Sequence, residues 1–124
     1  MEVLAKQREQ DLTVQNALEI MPKDVQIEKM CKVFQLLADC VRLKIVSALL
    51  LEDMCVGTLT EICGVSQSGV SHQLRVLRDN NIVKTKRLGQ RIEYSIADEH
   101  IREIIEVSMA HAGCAESKNG RGAQ

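Results

Sequence analysis

Between residues 57 and 96, apolar side chains recur at three- and four-residue steps, pause at Gly64, resume as far as Asn80, and then alternate every second position. The first rhythm is that of a helix face and the second that of a strand, so the stretch is constrained to fold as helix, tight turn, helix and hairpin. Gly64 stops the helix predicted over residues 57 to 63, because glycine takes the left-handed conformation that ends a helix without strain. Ser66 caps the next helix, expected over residues 67 to 80. IVKTKR and RIEYSI, separated by Leu88-Gly89-Gln90, predict a β-hairpin. Leu59, Ile62, Val65, Val70, Leu74 and Leu77 are expected where the two helices cross at a steep angle.

The remainder reads as helix. Residues 25 to 37 (VQIEKMCKVFQLL) are amphipathic, and residues 41 to 51 (VRLKIVSALLL), capped by Asp39, are apolar on most sides and therefore central. Residues 1 to 11 are polar and expected to fray, with a short helix over 12 to 20 ended by Pro22. A closing helix runs from about 98 to 111 or 112. The expected fold class is mainly α with a small β-hairpin. Residues 1 to 24 form a partly disordered extension, 25 to 112 the domain proper and 113 to 124 a flexible tail.

A chain of 124 residues with 45% hydrophobic content suits one such domain. No apolar run approaches the roughly 18 to 20 residues a membrane span needs, and the first residues lack signal-peptide character, so no membrane partner and a cytoplasmic location are expected. The five cysteines are odd in number and contain no CxxC pair, which argues against a disulfide framework. Cys31, Cys40 and Cys63 are expected to be buried thiols. One Phe, one Tyr and no Trp leave little for stacking on single-stranded nucleic acid or a large organic cofactor.

A net charge of -1 conceals an asymmetry. Residues 66 to 91 carry Arg75, Arg78, Lys84, Lys86, Arg87 and Arg91 against a single acid, Asp79. A basic hairpin directly after a second helix is the order of a winged helix-turn-helix, whose second helix enters the major groove of double-stranded DNA. Gln67, Ser68, Ser71, His72 and Arg75 occupy the polar side of that helix and suit base edges and phosphates. Lys84, Lys86, Arg87 and Arg91 would supply phosphate contacts from the hairpin.

The runs LLADCVRLKIVSALL, DMCVGTL, GVSQSGVSHQLRVLRDNNIV and GQRIEYSI resemble the ArsR/SmtB family of bacterial metal-responsive repressors, over roughly residues 27 to 114. The resemblance implies a homodimeric winged helix that represses by binding operator DNA and lets go when metal binds. Two residues depart from the family pattern: Cys40 stands where proline is usual, and Gly69 lies inside the reading helix, where it should cost about 1 kcal/mol relative to alanine.

The last helix carries Asp98, His100, His111 and Cys114 among isoleucines. His100 and His111 are eleven residues apart, which returns them to within about 20° of one face but leaves them about 16 Å apart along the axis. One ion cannot touch both within one chain, since zinc ligands sit about 2 Å from the metal. Two copies running antiparallel across a two-fold axis would bring Asp98 and His100 of one beside His111 and Cys114 of the other, across an interface lined by Ile101, Ile104, Ile105, Val107 and Ser108. The spacing also resembles the paired helical site of the family's zinc and cobalt or nickel sensors, with Cys114 where His or Glu is usual. Zn(II) is the expected effector, with Co(II), Ni(II) or Cd(II) as alternatives. Asp98 could instead, or also, cap the helix. Four protein ligands leave no open position for substrate, so no enzyme is expected. The competing reading is a repressor of the same family without this metal site, using the last helix only to dimerise, one form of it being a thiol-based sensor of redox state, persulfide, arsenite or cadmium. Against that form, the position of the family's CxC pair reads Cys55-Val56-Gly57, with one thiol only.

Overall fold

The computed structural model describes residues 2–114. The elements run α1 (Glu2–Ile20), α2 (Asp24–Leu37), α3 (Cys40–Leu49), α4 (Val56–Cys63), α5 (Gln67–Asp79), β1 (Val83–Leu88), β2 (Arg91–Ile96) and α6 (Glu99–His111). The chain divides into two compact units, Met1–Val33 and Phe34–Gln124.

In the first unit, α1 is one helix from Glu2, not the frayed segment and short helix that its polarity suggested. Its residues explain this: Glu, Leu, Ala, Lys, Gln and Arg are strong helix formers, and neither Gly nor Pro interrupts them before Pro22. No residue of α1 is buried.

The second unit holds the core. Ile45, Val46 and Leu49 of α3, Leu59 of α4, and Val70, Leu74 and Leu77 of α5 are almost fully excluded from solvent, as is Ile105 of α6. Fully burying such a side chain contributes roughly 1.5 to 3 kcal/mol. Two residues expected at the α4–α5 crossing are exposed instead: Ile62, because Cys63 takes the inward position one step on, and Val65, because it lies in the turn.

Local chemistry fixes where each helix begins and ends. Asp39, Ser66 and Asp98 accept the backbone N–H of Arg42, Gly69 and Ile101 as N-caps of α3, α5 and α6. Gly64, at φ 70°, ends α4. Asn81 ends the turn after α5 at φ 60°, with Asn81 N–H donating to Arg78 O and Ile82 N–H to Leu77 O, a paired closure that asparagine tolerates in the left-handed region. The chain thereby turns straight into β1. β1 and β2 pair antiparallel from Val83↔Ile96 to Leu88↔Arg91 across Gly89-Gln90, and Met54 adds a bridge to Tyr94. Among the described residues no helix is long and apolar enough to cross a membrane.

Candidate functional site

The polar side of α5 stands free of the core. Gln67, Ser68, Ser71, His72 and Arg75 are all exposed, whereas Val70, Leu74 and Leu77 hold the opposite side inward. Gly69 has a local reason to be glycine. A Cβ there would sit 3.1 Å from Ser66 Oγ, the atom that accepts the Gly69 N–H and also shares a hydrogen bond with Ser68 Oγ at 3.2 Å.

The hairpin register separates the basic residues expected to act together. Lys84, Lys86 and Arg91 share one face, while Arg87 lies on the other with Thr85, Ile92 and Tyr94, because side chains alternate along a strand. All four are exposed. Arg91 lies 3.4 Å from Glu93 on its own strand, so its charge is partly compensated.

Between α5 and β2 lies a cleft of about 270 Å³ lined by Ser71, Arg75, Arg78, Asp79 and Tyr94. Arg78 and Tyr94 are not among the residues that the sequence pattern assigns to the reading surface. Arg78 was legible, since Ser71, Arg75 and Arg78 follow one another at i, i+4 and i+7. Tyr94 was not, because its side of the hairpin depends on register.

On α6, Asp98, His100, His111 and Cys114 are all exposed. Two of the five residues expected to line a dimer interface are not available to one: Ile101 and Ile105 face the chain's own core, at 7% and 1% exposure. The outward stripe is His100, Ile104, Val107 and His111, at helical spacings of four, three and four, with Val107 68% exposed. Asp98 caps α6 through Oδ1, which accepts the Ile101 N–H at 3.0 Å, and a carboxylate has a second oxygen for another partner. Cys114 follows the helix end, where its N–H donates to Met109 O and that of Gly113, at φ 82°, to Ala110 O. These bonds fix its backbone just beyond the last turn. Among the described residues no three His, Cys, Asp or Glu side chains of one chain gather as a metal site. One carboxylate, two imidazoles and a thiol nevertheless make a donor set suited to tetrahedral zinc, if supplied from two chains.

Cys63 is buried, which pushes its thiol upward in pKa, but Cys31 and Cys40 are exposed, not buried as expected. Cys40 is the first residue of α3 and precedes its inward positions. The Cys55 thiol is held below its usual range chiefly by its hydrogen bond with the Thr58 hydroxyl at 3.5 Å and by the Thr58 backbone.

A helix-turn-helix whose second helix exposes hydroxyls, an imidazole and arginines beside a basic hairpin is a winged-helix DNA-binding protein. Residues 39–85 match the model of the bacterial regulatory protein, arsR family. The chain is 43% identical over 93 residues to the transcriptional repressor SmtB homolog of Synechocystis sp., covering 75% of this chain and 70% of that one. It is 36% identical over 102 residues to the cadmium resistance transcriptional regulatory protein CadC homolog of Staphylococcus aureus, covering 82% and 76%. The crystal structure of NolR from Sinorhizobium fredii superposes with a TM-score of 0.68 at 31% identity, covering 77% of this chain and all of that one. The chain belongs to the arsR family: it is a DNA-binding transcriptional regulator and not an enzyme.

Proposed function

We propose that the protein is a metal-responsive repressor that holds operator DNA as a homodimer and releases it when Zn(II) binds between two α6 helices. One observation carries this reading. The four donors stand exposed at the two ends of α6, separated by an outward apolar stripe, Ile104 and Val107, while the inward side is filled by Ile101 and Ile105. An apolar stripe ending in ligands at both ends is satisfied by an antiparallel copy of itself, which covers Val107 and assembles two identical donor sets. The names of the relatives, an SmtB homolog and a cadmium resistance regulator, point the same way. Residues 25 to 112 would then serve both DNA binding and dimerisation, in the cytoplasm.

Asp98 and His100 would hold the ion from one subunit, His111 and Cys114 from the other. Bound zinc would supply a fixed cross-link between the helices. On the DNA side, Gln67, Ser68, Ser71 and His72 would address base edges, and Arg75, Arg78, Lys84, Lys86, Arg87 and Arg91 the phosphates, with Tyr94 flooring the cleft. Release then requires only that the zinc-bound conformation bind DNA a few kcal/mol less well.

The test is a mixed dimer of one His100→Ala subunit and one His111→Ala subunit, titrated with zinc. A site shared between subunits places both substitutions in one site and leaves the other whole, so half of the wild-type high-affinity sites remain. Finding none would overturn the arrangement.

A further inference from the structure

We propose that α3 is the mechanical link between α6 and the DNA-reading helix α5, and that Arg102 is the positioning residue that joins α6 to it. The inference rests on the effector reading above and names the route that reading requires. Among the described residues, only two side-chain hydrogen bonds join residues more than six positions apart, and both end on the α3 segment. Arg102 of α6 donates through Nη1 to the carbonyl of Leu50, the C-cap residue of α3, at 3.0 Å. At the other end of α3, Arg42 donates through Nε to Oε1 of Gln73 on α5 at 2.7 Å. The same guanidinium donates to the Leu36 carbonyl at 3.0 Å, and the Arg42 N–H is itself held by Asp39.

The chemistry of both joints suits a transmitted displacement. The C-terminus of a helix carries partial negative charge on unpaired carbonyls, so a guanidinium placed there makes a charge-assisted and directional bond. Glu99, one turn back on α6, lies 3.8 Å from Arg102 Nε and orients the fork. Between the two joints Ile45, Val46 and Leu49 of α3 are excluded from solvent, and a close-packed interior of low compressibility passes a displacement on. Gln73 sits one position from His72 and two from Ser71 and Arg75 on α5. A shift of α6 that drags the end of α3 is therefore delivered among the residues that face DNA.

The experiment compares wild type with Arg102→Met, and with Arg102→Lys, which keeps the charge but not the fork. Each purified protein is measured for zinc affinity, for operator affinity without zinc and for operator affinity with zinc. Coupling between two ligands typically amounts to a change of roughly 5- to 150-fold. In Arg102→Met, zinc affinity and metal-free operator affinity should stay within about threefold of wild type, while the zinc-induced fall in operator affinity should shrink to about the square root of the wild-type factor or less. Arg102→Lys should fall between. Amide exchange at Leu49 to Leu51 supplies a readout apart from DNA: zinc should alter it in wild type and not in Arg102→Met. If Arg102→Met fails to fold, Arg102→Lys carries the comparison alone. A full zinc response in the folded Arg102 variant overturns the link while leaving the effector reading intact. A wild type whose operator affinity ignores zinc overturns the effector reading, and the link with it.

Discussion

Gly69 and Ser66 should depend on each other for their effects on stability, and the size of that dependence follows from one distance. Ser66 Oγ accepts the Gly69 N–H as the N-cap of α5, and a Cβ at Gly69 would stand 3.1 Å from that same oxygen. Replacing glycine by alanine within a helix gains about 1 kcal/mol, and losing a serine cap costs about 1 kcal/mol. In Gly69→Ala the Ser66 hydroxyl must give by a few tenths of an ångström, which weakens the cap bond without removing it, so the two partly cancel and the net gain should fall well below about 1 kcal/mol. Ser66→Ala alone should cost about 1 kcal/mol. In the double variant no hydroxyl is left to crowd, so alanine delivers its full gain and stability should return close to wild type. The interaction term in the cycle is then positive and at most about 1 kcal/mol, to be read against the scatter of about 0.3 to 0.5 kcal/mol seen for independent sites. Urea unfolding at one fixed protein concentration measures it, because the stability of an associating protein depends on concentration. If Gly69→Ala alone stabilises by the full amount, or if the double variant is as unstable as Ser66→Ala, the crowding argument is refuted.

Three further outcomes are expected. Arg78→Ala should lower the slope of log operator affinity against log salt by about 1, the loss of one phosphate contact, and an unchanged slope would remove Arg78 from the DNA face. Ile105→Ala should cost about 2 to 5 kcal/mol of fold stability, as an inward residue at 1% exposure does, whereas Val107→Ser should leave the monomer fold intact and weaken dimerisation; thermal melts and sedimentation separate the two. Because hydrogen bonding to Thr58 holds the Cys55 thiol low, more of it is thiolate at a given pH and it should alkylate faster than Cys63, whose thiol burial raises. Thr58→Val should move the pH midpoint of Cys55 alkylation upward, as followed by mass spectrometry of the labelled peptides.

Sequence alone determined what depends on short-range chemistry. The starts of α3, α5 and α6 were legible in Asp39, Ser66 and Asp98, and the stop after α4 in Gly64, because a cap is made within three or four residues of itself. The switch from helix to hairpin after Asn80 was legible for the same reason, and so was the polar side of α5. Tertiary structure decided which of several equivalent positions faces inward. Isoleucine or valine occupies residues 101, 104, 105 and 107, so the pattern alone could not say that 101 and 105 pack into the core, 104 is half-buried and 107 stands outside. Hairpin register set Arg87 apart from Lys84, Lys86 and Arg91 and put Tyr94 in the cleft beside Arg78. Arg102 reaching Leu50 across 52 positions is likewise invisible in the chain. Such a contact exists only once the core has brought two distant helices side by side, and no local rule encodes which carbonyl an arginine will find there.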